Sequence, residues 1–131
     1  MGINPIIILI SIWSGTIIFF SAVVAPTVFK SLGEKEAGVF LRAFFPKYYT
    51  FGIILGVLSI IYLLYNPVHS HLMYSVIAMT VLTLLGRMSI PIINNARDSG
   101  NEASFKRYHL ISVMMNVLTL MIGIVILGML L

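Results

Sequence analysis

The chain has 131 residues, of which 60% are hydrophobic and 9% charged, with a formal net charge of +4 and no cysteine. A soluble domain carries about a quarter charged residues, so most of this chain is matched to lipid, and its length predicts one domain, residues 1–131, without a separate soluble module. The lack of cysteine excludes disulfides, thiolate metal sites and cysteine nucleophiles. The basic residues flank apolar runs and follow membrane topology, which argues against a nucleic-acid partner.

Stretches of about 20 apolar residues predict membrane helices, and four occur, over about 6–28, 48–65, 72–93 and 108–131. The first lacks the basic leader of a secretory signal and exceeds its apolar length. Trp13 falls about 10 Å into this span at 1.5 Å per residue, which predicts a partner for its N–H within the bundle. Pro26 frees the carbonyl of Ala22 and predicts a kink near the end of the span. Ser31-Leu-Gly-Glu34 then has the spacing of a capping box. Ala37, Phe40, Leu41, Phe44 and Phe45 recur at helical spacing, with Lys35 and Arg42 on another face. This predicts a short amphipathic helix over about 32–45, ended by Pro46, whose apolar face lies in the membrane interface or against the bundle.

The second span carries Gly52, Gly56 and Ser59 on one small-residue face, and the first carries Ser11, Gly15 and Ala22; such faces let helices approach closely in lipid. In the third span Thr80, Thr83, Arg87 and Asn94 form a polar stripe. In the fourth, His109, Ser112, Asn116, Thr119 and Gly123 form another. The fold expected is therefore all-α: an integral membrane four-helix bundle with a short interfacial helix between the first two spans.

Charge placement predicts orientation. Lys30, Lys35, Arg42 and Lys47 lie between spans one and two, and Arg97, Lys106 and Arg107 between spans three and four; the intervening connection and both termini have no Lys or Arg. Basic loops stay cytoplasmic, which predicts a multi-pass inner (plasma) membrane protein with both termini outside. Tyr48, Tyr49 and Tyr108 fall at inner helix ends and Tyr62, Tyr65 and Tyr74 at outer ends, as interfacial aromatic rings do.

Arg87 is the only charge inside the four runs. A charge in hydrocarbon costs several kcal/mol and finds a partner or water. Helical rise puts Arg87 about 10 Å and Asn116 about 12 Å from the inner side. This predicts a polar cluster of Arg87, Asn116, Ser112 and His109, occupied by a small solute, anion or lipid headgroup; the alternative is that Arg87 snorkels to inner headgroups and Asn116 and Ser112 join helices. No Asp or Glu lies within a span, which argues against a carboxylate relay. His69 and His71 are separated from His109 by a hydrocarbon core of about 30 Å, so the three cannot share one metal, and His69-x-His71 alone offers two ligands, a weak site. No catalytic residue, cofactor or metal is expected on these grounds. The eight methionines read as apolar fillers.

Several short motifs recur in a definite order: Trp13-Ser-Gly15, Val24-Ala-Pro-Thr-Val-Phe29, Ala37-Gly38, Phe44-Phe-Pro-Lys-Tyr-Tyr49, Asn95-Ala-Arg-Asp98 and Phe105-Lys-Arg-Tyr-His109-x-x-Ser112-x-x-x-Asn116. In this order the chain resembles the transmembrane protein 205-like family, known in bacteria as a domain of unknown function. The resemblance spans nearly the whole chain and implies four membrane helices, and it gives weight to Pro26, Phe29, Arg97, His109, Ser112 and Asn116. It departs at Ser14, where members more often have glycine. It implies no settled activity. Three roles stay open: a non-enzymatic protein that binds or passes a small solute, anion or lipid; a structural or assembly partner of a membrane complex; and a haem- or metal-dependent membrane enzyme, against which the histidine positions argue. One four-helix unit is small for a transport path, which favours a homo-oligomer or a membrane partner.

Overall fold

A computed structural model describes residues 4–131. Four helices fill it: α1 (Pro5–Ser31), α2 (Glu34–Tyr65), α3 (Ser70–Asp98) and α4 (Glu102–Leu130), each long and apolar enough to cross a membrane. Each packs on its neighbour in sequence, and α4 closes the ring against α1. Short connections between antiparallel neighbours make this an up-and-down bundle. The charged connections gather at one end and the uncharged connection between α2 and α3 lies at the other.

α1 begins on Asn4, whose side chain accepts the Ile6 backbone N–H at 3.1 Å, with Pro5 at the first helical position where its missing N–H is harmless. Pro26 does not end the helix. Residues Phe20–Val24 widen into a π-turn, in which the Ala25 N–H reaches back to the Phe20 carbonyl. Such a bulge re-routes backbone bonds around a proline. The helix then continues to Ser31, so the expected capping box does not form: Ser31 closes α1, and Gly33 caps α2, its carbonyl accepting the Ala37 N–H at 2.8 Å.

The segment expected as a separate helix over 32–45 is the first part of α2, and Pro46 sits inside that helix rather than at its end. Tertiary packing overrides the proline. Phe20 of α1 stacks on Phe44 with ring centroids 5.2 Å apart and also meets Phe45 and Tyr48. These contacts carry the helix across Pro46 and turn its aromatic face onto the bundle.

Close approach in the middle rests on glycine. Cβ atoms at Gly52 and Gly56 of α2 would press on Trp13 of α1 and on Thr83 and Thr80 of α3. Trp13 is buried, but its N–H makes no hydrogen bond among the described residues; what the bundle supplies is a groove for the ring. Ser14 is likewise buried, opposite Gly123 of α4, where a Cβ would collide with its hydroxyl oxygen. That oxygen is a buried polar atom without a hydrogen-bond partner.

Candidate functional site

The reversal between α3 and α4 builds the charged end. Gly100 adopts φ +71°, the left-handed region that favours glycine. The Asn101 N–H bonds to the Ala96 carbonyl at 3.0 Å and the Gly100 N–H to Arg97 at 3.2 Å; this is a Schellman stop. The Asn101 side chain then accepts the Ser104 N–H at 3.1 Å and caps α4. Three residues thus hold Arg97 and Asp98 beside Phe105 and Lys106.

Between α2, α3 and α4 at this end lies a half-open cleft of about 680 Å³, within the range of small-molecule sites. Phe29, Leu41, Phe45, Ile90 and Ile93 give it an apolar wall, and Arg97, Lys106, His109 and Ser112 border it together with the acids Glu34 and Glu102. The Arg97 guanidinium lies over the Phe105 ring, 5.7 Å from its centroid, and His109 stacks nearly parallel on the same ring, also at 5.7 Å. Arg97 has a loose partner in Glu34 at 3.9 Å; the Glu34 side chain is 94% exposed against 37% for Arg97. Both border the cleft, the acid with its side chain much the more exposed of the two.

Arg42 and Asp98 form a two-pronged ion pair that ties α2 to α3, with one bond at 3.1 Å. Both lie beyond the apolar spans. Hydrogen bonds from Arg42 hold the Asp98 carboxyl below its ordinary value, helped by the charges of Arg42 and Arg97. A lowered native pKa contributes stability that is complete above the unfolded value and lost as pH falls through the folded one. The contribution of this pair to thermal stability should therefore be flat from neutral pH down to about pH 5 and decline below it, and Asp98→Asn should flatten that acid limb in a melting series. Exposure of the pair keeps the effect small.

The structure divides the four residues expected to cluster. Ser112 is buried at the cleft floor and donates to the His109 carbonyl at 2.7 Å. His109 is exposed at the mouth. Asn116 lies half-buried deeper on the same face, and its partner is the Tyr48 hydroxyl, which donates to its Oδ1 at 3.0 Å. α2 and α4 do not otherwise pack together, so this bond crosses the bundle diagonal. Arg87 is exposed and has no hydrogen-bond or ion-pair partner among the described residues. It continues the Thr80–Thr83 stripe, which turns toward Gly56 and Gly52 of α2, not toward α4. Equal depth brought Arg87 and Asn116 level, but helix rotation separates them.

Removing the Tyr48 hydroxyl strands the Asn116 carbonyl oxygen, at a cost of about 1–3 kcal/mol. We expect Tyr48→Phe to lower the melting temperature in detergent, and the double variant Tyr48→Phe/Asn116→Leu to recover most of the loss. Equal loss in single and double variants would show that the bond contributes nothing.

Tyr48, Arg42, Asp98 and Phe105 were not singled out from sequence as one site. The Ser99-Gly100-Asn101 run carried the signal, a helix stop followed by a helix cap, and would have placed α4 six residues earlier than its apolar run suggested.

These features define a multi-pass four-helix membrane protein with a cleft at its charged end that is apolar on one wall and charged at its rim. The chain belongs to the family described as Domain of unknown function (DUF4149), whose family model matches residues 8–102. That match covers α1 from its fourth residue, all of α2 and α3, and the first residue of α4. An uncharacterized protein of Aquifex aeolicus (strain VF5) is 32% identical over 114 residues, covering 87% of this chain and 85% of that protein. No solved structure matches.

Proposed function

We propose that the charged-end cleft binds an amphipathic anion, an anionic phospholipid in the first instance, with its headgroup at Arg97 and Lys106 and its tail along the apolar wall. The observation that carries this reading is the pairing within one cleft of an apolar wall with Arg97 and Lys106, where Glu34, although it also borders the cleft, is 94% exposed against 37% for Arg97. The charged end as a whole supports it: seven of the eight basic residues and all four acidic ones lie there, an excess of three positive charges. On this reading the charged end is cytoplasmic, both termini are outside, and the membrane is the inner (plasma) membrane, since basic loops stay inside. Arg87, exposed on α3, snorkels to inner headgroups on the bundle surface. His109 and Ser112 line the cleft, and Asn116, held by Tyr48, braces the helices below it. The ordered motifs from Trp13 to Asn116 favour the transmembrane protein 205-like group as the finer family.

A structural or assembly role, with a second copy or another membrane protein, is the second reading. The diagonal Tyr48–Asn116 bond and the Arg42–Asp98 pair favour it, since both join helices without a ligand.

Native mass spectrometry of the protein in mild detergent separates the two. With equal amounts of phosphatidylglycerol and phosphatidylcholine added, the binding reading gives one retained phosphatidylglycerol per chain that excess inorganic phosphate does not displace. Displacement by phosphate would assign the cleft to a free anion; equal retention of both lipids would favour the structural role.

A further inference from the structure

At the uncharged end, His69 and His71 stack face to face, with ring centroids 5.1 Å apart and planes within 10°. His69 is extended and caps α3, and His71 lies in its first turn. This alternation puts both imidazoles on one side of the chain. A groove of about 590 Å³ runs from them down the seam between α3 and α4, and the side chains facing it include Met129 and Met121. Met129 is in the last turn of α4, level with the start of α3. Met121 is eight residues deeper, about 12 Å along the helix. Among the described residues no Asp or Glu lines the groove, and the connection from Asn66 to His71 carries no Lys or Arg.

From sequence, His69-x-His71 offered only two ligands. The fold adds a third donor from a distant part of the chain, and that donor is a thioether. Neutral nitrogen and sulfur donors without carboxylates do not suit hard divalent ions, which take oxygen ligands. They suit a soft monovalent ion, because thioethers select copper(I). An apolar groove also disfavours high charge. The nitrogen lone pairs lie in the ring planes, so the two nearly parallel imidazoles meet on one ion once one ring turns about its side-chain bonds, and both side chains are exposed and free to turn; metal–nitrogen bonds near 2 Å then set the two nitrogens at most about 4 Å apart.

We propose that the uncharged end holds a copper(I) site formed by His69, His71 and Met129, with Met121 as a second sulfur deeper in the same groove. The site is independent of the charged-end cleft and stands or falls without it.

The test uses the purified full chain in detergent and copper(I) kept reduced with ascorbate, titrated against a chromogenic copper(I) chelator. The expected result is one copper(I) per chain. His69→Ala/His71→Ala should lose affinity by at least tenfold, Met129→Leu by several-fold, and zinc(II) should not compete. All three side chains are exposed, so melting temperatures should stay at the unsubstituted value. No copper(I) retained, unchanged affinity in the histidine variant, or displacement of copper(I) by equimolar zinc(II) would each overturn the proposal.

Discussion

Gly56→Leu should abolish the folded, monodisperse protein. A Cβ at Gly56 already meets Trp13 Cη2 at 2.9 Å and Thr80 Cγ2 at 3.0 Å, and it falls closer still to the Thr80 hydroxyl oxygen. Real Cβ atoms do not approach so closely, so something must shift. Trp13 is buried and Thr80 is tied to the Val76 carbonyl by a 2.8 Å bond; neither is a free chain end. In lipid no hydrophobic drive offsets the separation of helices, because association rests on packing itself. Overpacking by one methyl costs about 1–3 kcal/mol, which is the loss expected for Gly56→Ala; three further carbons have nowhere to go. Size-exclusion profiles and melting curves in detergent read the outcome. Thr80→Ala should partly rescue Gly56→Ala, since Thr80 supplies two of its three nearest atoms. Gly128→Ala, where a Cβ meets nothing within 4 Å, should melt no lower than the unsubstituted protein and gain helix propensity. Loss of fold at Gly128 as well as Gly56 would mean that the glycines act through backbone freedom and not close approach.

The second large effect belongs to the cleft. Arg97→Gln/Lys106→Gln removes two cations that border the apolar wall, of which Arg97 has only the loose partner Glu34 at 3.9 Å. A Lys or Arg near a headgroup contributes about 1 kcal/mol of attraction to anionic lipid. Two together should lower the preference for phosphatidylglycerol over phosphatidylcholine by roughly 30-fold. Arg97→Lys/Lys106→Arg should keep the preference. Melting temperature separates a binding loss from a folding loss, because Arg97 also packs on Phe105. Arg42→Gln is the control: its charge is committed to Asp98, so it should lower stability with little change in lipid preference.

Apolar run length made the four helices legible, because a span must be about 20 residues long to cross hydrocarbon. The polar stripe from Ser112 to Gly123 was also legible, since one helical period puts those residues on one face, and that face does turn inward. What periodicity cannot supply is which neighbour a face meets. Thr80 and Thr83 turn to the α2 glycines, so Arg87 follows them away from Asn116. The partner of Asn116 is Tyr48, which interfacial position alone had explained as a headgroup ring. Helix ends were read from where hydropathy falls, yet α3 and α4 run on through polar residues until Gly100 forces the reversal. Pro46 reads as a stop, but aromatic packing on Phe20 carries the helix through it; at Pro26, where the sequence predicts a kink, the backbone forms a π-turn, one of the usual causes of a kink. The Arg42–Asp98 pair joins residues 56 apart, a distance that no local pattern reveals.

The central claim is that an anionic lipid occupies the cleft between α2, α3 and α4. Photo-crosslinking with a phosphatidylglycerol that carries a reactive group near its headgroup, followed by peptide mapping, tests it most directly. Adducts should concentrate within residues 89–97 and 102–112 and be lost in Arg97→Gln/Lys106→Gln. Adducts spread evenly along the outward faces of all four helices, unchanged by that substitution, would contradict it.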